Sequence, residues 1–167
     1  MATNGFKKSD DVFGTIDLDD QYVTDQYLVD KYVGGQLWAW GLNAQGELGN
    51  GNTAYYSSPV QVGSLVGWKE VSSGYESVLA TKNDGTLWAW GNNSVGQLGQ
   101  NNTTNFSSPI QVGSLTNWKQ VSINGNFSCS VGAIKLDGTL WMWGYNFYGT
   151  LGQNNTTTVS SPVQVGT

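Results

Sequence analysis

The 167-residue chain has no histidine and no arginine, a single cysteine, and charged side chains at only 11% of positions. Each shortage removes a class of function. Without histidine there is no imidazole base, no Ser-His-Asp triad and no histidine metal site. Cys129 alone forms neither an internal disulfide nor a zinc-binding thiolate cluster, and between Ser128 and Ser130 it reads as a small buried filler. A nucleic-acid binder would show a basic stripe with arginine forks for phosphate, whereas the net charge here is −5 and the seven basic residues are all lysine. No apolar stretch approaches the roughly 18 residues a membrane helix needs, and the opening MATNGFKKSDDVFG has no apolar run, so neither a span nor a signal peptide is expected. The expectation is a protein made in a cytoplasm, with no nucleic-acid partner and no membrane insertion.

What is present is glycine, asparagine and tryptophan, with 23 Gly and 8 Trp. That profile points to short strands joined by tight turns, an all-β class. Self-similarity organises it. Gly35-Gln-Leu-Trp-Ala-Trp-Gly41 recurs, with threonine for Gln36, over residues 85–91 and again, with Met142 for alanine, over 138–144. Gly46-Glu-Leu-Gly49 recurs at 96–99 and 149–152, and Ser57-Ser-Pro-Val-Gln-Val-Gly63 at 107–113 and 160–166. Each unit divides into four β-like runs. In the middle of the chain these begin at Leu87, Pro109, Trp118 and Cys129, with Asp-Gly hairpin turns at 84–85 and 137–138. Four antiparallel strands in a period of about 50 residues is the pattern of a propeller blade. Gly49, Gly99 and Gly152 are expected at positive φ. The Trp pairs 38/40, 88/90 and 141/143 share one strand face and are expected between blades rather than as sugar platforms.

The wording Asp-Gly-Thr-Leu-Trp-Ala-Trp-Gly-x-Asn-x-x-Gly-Gln-Leu-Gly, followed by Ser-Ser-Pro-x-Gln-Val, closely resembles the regulator-of-chromosome-condensation repeat family. The resemblance covers residues 35–167 in three in-register copies. It implies a propeller fold, usually of seven blades. The namesake family includes an exchange factor for a small GTPase, which uses an inserted wedge. The uniform spacings here show no such wedge, so a GTPase regulator is the weakest reading.

Nothing in the blades gathers into a catalytic or cofactor site. Body carboxylates are Glu47, Glu70, Glu76, Asp84 and Asp137, and the two aspartates occupy equivalent turn positions chosen for geometry. The 17–20 segment Asp-Leu-Asp-Asp lacks the glycine and terminal glutamate of a calcium hand and reads as solvated. The protein is expected not to be an enzyme, with no cofactor and no metal.

Residues 1–33 read as an unrepeated, extended N-terminal arm carrying seven of the twelve acids. Phe13, Ile16, Leu18, Tyr22, Tyr27, Leu28 and Tyr32 are its candidate partner-binding residues, and Thr24–Tyr32 fits one short helix with Thr24 as N-cap. Residues 34–167 form the repeats, at about 35–84, 85–137 and 138–167. The strand count is two and a half blades, a partial β-propeller, where closure needs at least about four. Either the chain continues in a longer product, the favoured expectation, or several copies combine to complete a ring. Such a propeller with an acidic arm resembles phage virion proteins carrying these repeats. That resemblance implies a structural, protein-binding component of a tail, baseplate or head appendage, seated on other virion proteins by the arm, with the blades outward and contacting the host surface. A bacterial surface or scaffold protein is the alternative.

Overall fold

The computed structural model describes residues 27–29, 36–125 and 129–166. All of its regular elements are strands: β1 Tyr27–Val29, β2 Trp38–Gly41, β3 Tyr56–Gln61, β4 Trp68–Gly74, β5 Ser77–Lys82, β6 Leu87–Gly91, β7 Phe106–Gln111, β8 Trp118–Ile123, β9 Ser130–Lys135, β10 Leu140–Gly144 and β11 Val159–Gln164. They form three antiparallel sheets, β1-β2-β3, β4-β5-β6-β7 and β8-β9-β10-β11. The all-β partial propeller is what the repeats anticipate.

The second and third sheets each straddle two sequence units. The last two strands of one copy pair with the first two of the next through the Asp-Gly hairpin, where the amide of Gly85 donates to the Lys82 carbonyl. This arrangement ties neighbouring copies together by backbone hydrogen bonds as well as by packing.

The sheets stack face to face, so a central strand such as β5 is buried on both sides. Its alternate residues enter different cores. Val78 and Ala80 join Leu37, Ala39, Leu48, Val62, Trp68 and Trp90 in the layer between the first and second sheets. Leu79 joins Leu87, Ala89, Leu98, Val112, Trp118, Val121 and Trp143 between the second and third. The tryptophans of β6 and β10 do lie between blades. Their indoles reach across the layer: Trp90 Nε1 donates to the Glu47 carbonyl at 2.9 Å, and Trp143 Nε1 to the Gln97 carbonyl at 2.8 Å.

Two glycines show why the repeat wording is strict. Gly99 has φ +70°, and a Cβ there would stand 3.1 Å from the Trp143 indole nitrogen, so the loop passes over the ring only without a side chain. Gly91, at φ +95°, would place a Cβ 2.3 Å from the Glu76 carbonyl oxygen. The expected positive φ at 49, 99 and 152 is observed.

One expectation is corrected. Tyr27–Val29 is not helical but the strand β1, paired with β2 in the register Tyr27↔Gly41, Leu28↔Trp40, Val29↔Ala39. The same register, shifted by 50 in both partners, joins β5 to β6 as Ser77↔Gly91, Val78↔Trp90 and Leu79↔Ala89. The end of the arm thus takes the place of a blade strand. A nine-residue helix is marginal on its own, whereas the edge of β2 offers a row of backbone groups that need partners. Thr24–Gln26 and Asp30–Tyr32 lie outside the described residues.

Candidate interaction surfaces

The loop following each Trp-x-Trp strand is built around one buried asparagine. Asn93 Nδ2 donates to the carbonyls of Asn102 and Thr104, each at 3.0 Å, and its Oδ1 accepts the Leu98 amide at 2.9 Å. Asn43 makes the same bonds to Asn52, Ala54 and Leu48, and Asn146 to Asn155, Thr157 and Leu151. All three are fully buried. The Asn-Thr stretches beyond them are closed turns: Asn102 accepts the Thr104 amide and donates to the Gln100 carbonyl, and Asn155 does the same with Thr157 and Gln153. These polar loops spend much of their hydrogen bonding internally and are rigid platforms. The signal was the asparagine two residues after each Gly41, Gly91 and Gly144, a position to which sequence reasoning assigned no role.

On this shared platform the third copy differs. Where the others carry Leu42, Ala44 and Gln45, or Asn92, Ser94 and Val95, it carries Tyr145, Phe147 and Tyr148. Their rings form one cluster, with Tyr145 and Phe147 stacked at 6.3 Å and Phe147 edge-on to Tyr148 at 5.0 Å. Phe147 is 64% and Tyr148 77% exposed. The sequence reading missed this cluster.

The turn aspartates act as structural relays. Asp84 Oδ1 accepts from the Thr86 amide and hydroxyl, and Thr86 Oγ1 accepts the Trp88 indole N–H at 2.8 Å. Asp137, Thr139 and Trp141 repeat the chain. The threonine hydrogen bonds hold both carboxyls below their ordinary range, with Lys82 and Lys135 adding in the same direction. The Lys135 amine lies 3.5 Å above the centre of the Trp141 ring and 5.0 Å from that of Trp118, a cation–π contact. Cys129 is buried as expected, and burial pushes its thiol up to about 11, far from a reactive thiolate.

Glu47 is a buried carboxylate at a position that is Gln97 in the next copy. Its Oε2 accepts the Gln45 amide at 2.6 Å, while Oε1 has no partner. Burial raises its pKa above the ordinary value, and the Glu76 charge pushes the same way, against hydrogen bonds from the backbone. A carboxyl raised in the folded state costs stability once the pH climbs above its unfolded value, and the full cost is present above its folded value. Glu47→Gln is therefore expected to gain about 1 kcal/mol at neutral pH. The gain should vanish below about pH 4, where the carboxyl is protonated in both states. Urea unfolding of both proteins at the two pH values measures it, and an equal gain at both would remove ionisation as the cause.

Of the arm residues singled out from the sequence, Phe13, Ile16, Leu18, Tyr22 and Tyr32 lie outside the described residues. Tyr27 and Leu28 fall in β1, where their backbone pairs with β2. No group of three or more metal-ligating side chains occurs among the described residues.

The regulator of chromosome condensation (RCC1) repeat pattern matches residues 34–81, 84–131 and 137–167, well over half the chain. The chain belongs to the RCC1 repeat family. A second pattern of this family matches residues 68–97, which hold β4, β5, β6 and the Asn93 loop. A comparison with curated protein sequences gave no significant match. Among solved structures, the RCC1-type fold of this chain superposes on human WBSCR16 with a TM-score of 0.70 at 22% identity, covering 83% of this chain and 35% of that one. It superposes on Prp20p of Saccharomyces cerevisiae, described with its binding properties to Gsp1p and histones, with a TM-score of 0.72 at 16% identity. That match covers 85% of this chain and 36% of Prp20p. The same yeast protein bound to Kap60 gives 0.70 at 21% identity, covering 86% and 34%. The chain therefore spans about a third of the length of these structures.

Proposed function

We propose that the chain is a non-enzymatic protein-binding component of a larger assembly, held there by its N-terminal arm and displaying its blades outward. The observation that carries the protein-binding reading is the exposed Tyr145, Phe147 and Tyr148 cluster on a loop stapled by Asn146. Aromatic side chains on a rigid support bring large contact area at little entropic cost, which is how binding hot spots are made. RCC1-type propellers with protein partners, such as the yeast protein bound to Kap60, support the same class of function. The anchoring role rests on the distribution of charge. The arm holds seven acids and the unrepeated apolar residues Phe13, Ile16, Leu18, Tyr22 and Tyr32, while the body is nearly neutral. In the finer reading the assembly is a phage particle, with the arm seated on other virion proteins and the blades meeting the host surface. Its ground is the resemblance, drawn from the sequence alone, of an acidic arm followed by these repeats to phage virion proteins.

Deleting residues 1–26 separates the two roles, because β1 and every blade strand remain. The truncated protein is expected to keep its β-sheet circular dichroism and to be lost from purified particles. Phe147→Ser with Tyr148→Ser should be incorporated normally and lose attachment to the target surface. Normal incorporation of the truncated protein would sink the anchor, and unchanged attachment of the double variant would move the binding face away from this loop.

A further inference from the structure

The first sheet meets the second, and the second the third, through matching contacts. Across the first junction Asn105 Nδ2 donates to Gln45 Oε1 at 2.7 Å, and the Gly51 amide donates to the Ser107 carbonyl at 2.8 Å. Across the second the Asn101 amide donates to the Ser160 carbonyl at 2.7 Å. Gly46 and Gly96 let these rims close up, since a Cβ on either would stand 2.5 Å from the serine of the following sheet. Under the rims, Leu37 and Leu87 are fully buried by that sheet. The third sheet presents the same surface, and among the described residues no sheet covers it. Leu140, at the place of Leu37 and Leu87, is 41% exposed, and the nearest atom to a Cβ on Gly149, at the place of Gly46 and Gly96, is the Asn155 oxygen at 3.8 Å. At the other end of the chain the first sheet offers the matching edge: Ser57 is exposed, whereas Ser107 and Ser160 are half-buried. Two side chains break the repeat at these two ends. Tyr148 stands where the earlier copies have Gln45 and Val95, and Tyr55 where the later ones have Asn105 and Thr158. They are 77% and 65% exposed. They occupy the two positions that the Gln45–Asn105 bond joins inside the chain.

We propose that the third sheet docks the first sheet of a second copy of this chain, head to tail, with Tyr148 on Tyr55 and the Asn154 amide on the Ser57 carbonyl. The internal junctions show the fit, and an aromatic pair replaces the polar pair at the rim. A following repeat of the same wording would bring asparagine or threonine to Tyr148 and leave Tyr55 in solvent, whereas a second copy matches both. Two copies bring six sheets together, within the range of about four to eight blades at which propellers close, while one copy or three falls outside it. The contact deepens the protein-binding reading without using up its surface. Ala44 and Ser94, at the place of Phe147, stay exposed in the closed junctions, so Phe147 remains open to a further partner.

Sedimentation equilibrium of the 167-residue chain tests this without any arm partner or target, so its outcome is separate from the anchoring and attachment experiments. The protein is expected at twice its 18.0 kDa mass and to dissociate on dilution. Tyr55→Lys and Tyr148→Glu should each weaken the dimer by about tenfold or more. Both rings are exposed, so neither change should alter the circular dichroism spectrum. Mixing the two variants should restore the dimer, because a mixed pair has one Lys–Glu contact and one native tyrosine contact, whereas each variant alone has two mismatched contacts. The protein lacking residues 1–26 should associate as the full chain does, and loss of association on that truncation would assign it to the arm and overturn the proposal. A monomer up to millimolar concentration would overturn it too. So would a dimer unaffected by either substitution, or a mixture no tighter than its separate components.

Discussion

Trp143→Ala is expected to lose about 3–5 kcal/mol of stability, a large part of the roughly 5–15 kcal/mol that holds an ordinary domain together. The side chain is fully buried between the second and third sheets, its ring is 6.3 Å from that of Trp118, and its N–H is bonded to the Gln97 carbonyl. Truncation removes the largest piece of that apolar layer and leaves the carbonyl unpaired. Trp143→Phe keeps most of the packing and loses the hydrogen bond, for a smaller expected cost of about 1–2 kcal/mol. Equilibrium urea unfolding followed by circular dichroism measures both. A loss below about 1 kcal/mol for the alanine variant would mean that the interblade layer is not what binds these sheets together.

The second large effect is expected from a polar residue. Asn93→Ala deletes the acceptor of the Leu98 amide and the donor to the carbonyls of Asn102 and Thr104, all within one buried loop. At about 1 kcal/mol for each hydrogen bond lost, the cost is about 3 kcal/mol. The loop also carries Gln97, whose carbonyl holds Trp143, so the loss should spread to the blade junction. Asn93→Asp tests the assignment. It keeps the acceptor but turns a buried carboxylate oxygen toward two carbonyl oxygens, and at neutral pH should cost at least as much as alanine. Amide exchange at Leu98 reports the local effect directly. Unchanged protection there in Asn93→Ala would show that the asparagine is not the staple.

Residue by residue, the sequence was most informative where the chain repeats itself. Trp88 and Trp90 on one strand face, the Asp84-Gly85 turn and the positive φ of Gly99 were all legible, because each is a local backbone requirement repeated in register. Asn93 was visible as a recurring letter, but its role was not, because its partners lie nine and eleven residues away and are backbone carbonyls that any residue supplies. Tyr27–Val29 was misread as helix for a related reason. Its nine-residue neighbourhood has a helical stripe, and only the unpaired edge of β2 made a strand the better use of those backbone groups. The Phe147 and Tyr148 cluster was written plainly in the third copy and passed over because it interrupts the repeat.

By itself the amino-acid sequence determined the strand period, the turns, the pairing of tryptophans on one face and the membership of a propeller family, since all of these follow from local conformation and alternation repeated three times. Burial was decided by tertiary structure. Leu87 and Leu140 stand in the same word, yet the first is fully buried and the second is 41% exposed. The third sheet covers Leu87, whereas among the described residues no further sheet lies over Leu140. Leu65 and Leu115 are the same residue in the same repeat position, yet Leu65 packs partly buried against its layer whereas Leu115 is 45% exposed. A side chain's environment is set by the sheet and loop that arrive from elsewhere in the chain, and no single repeat contains that information.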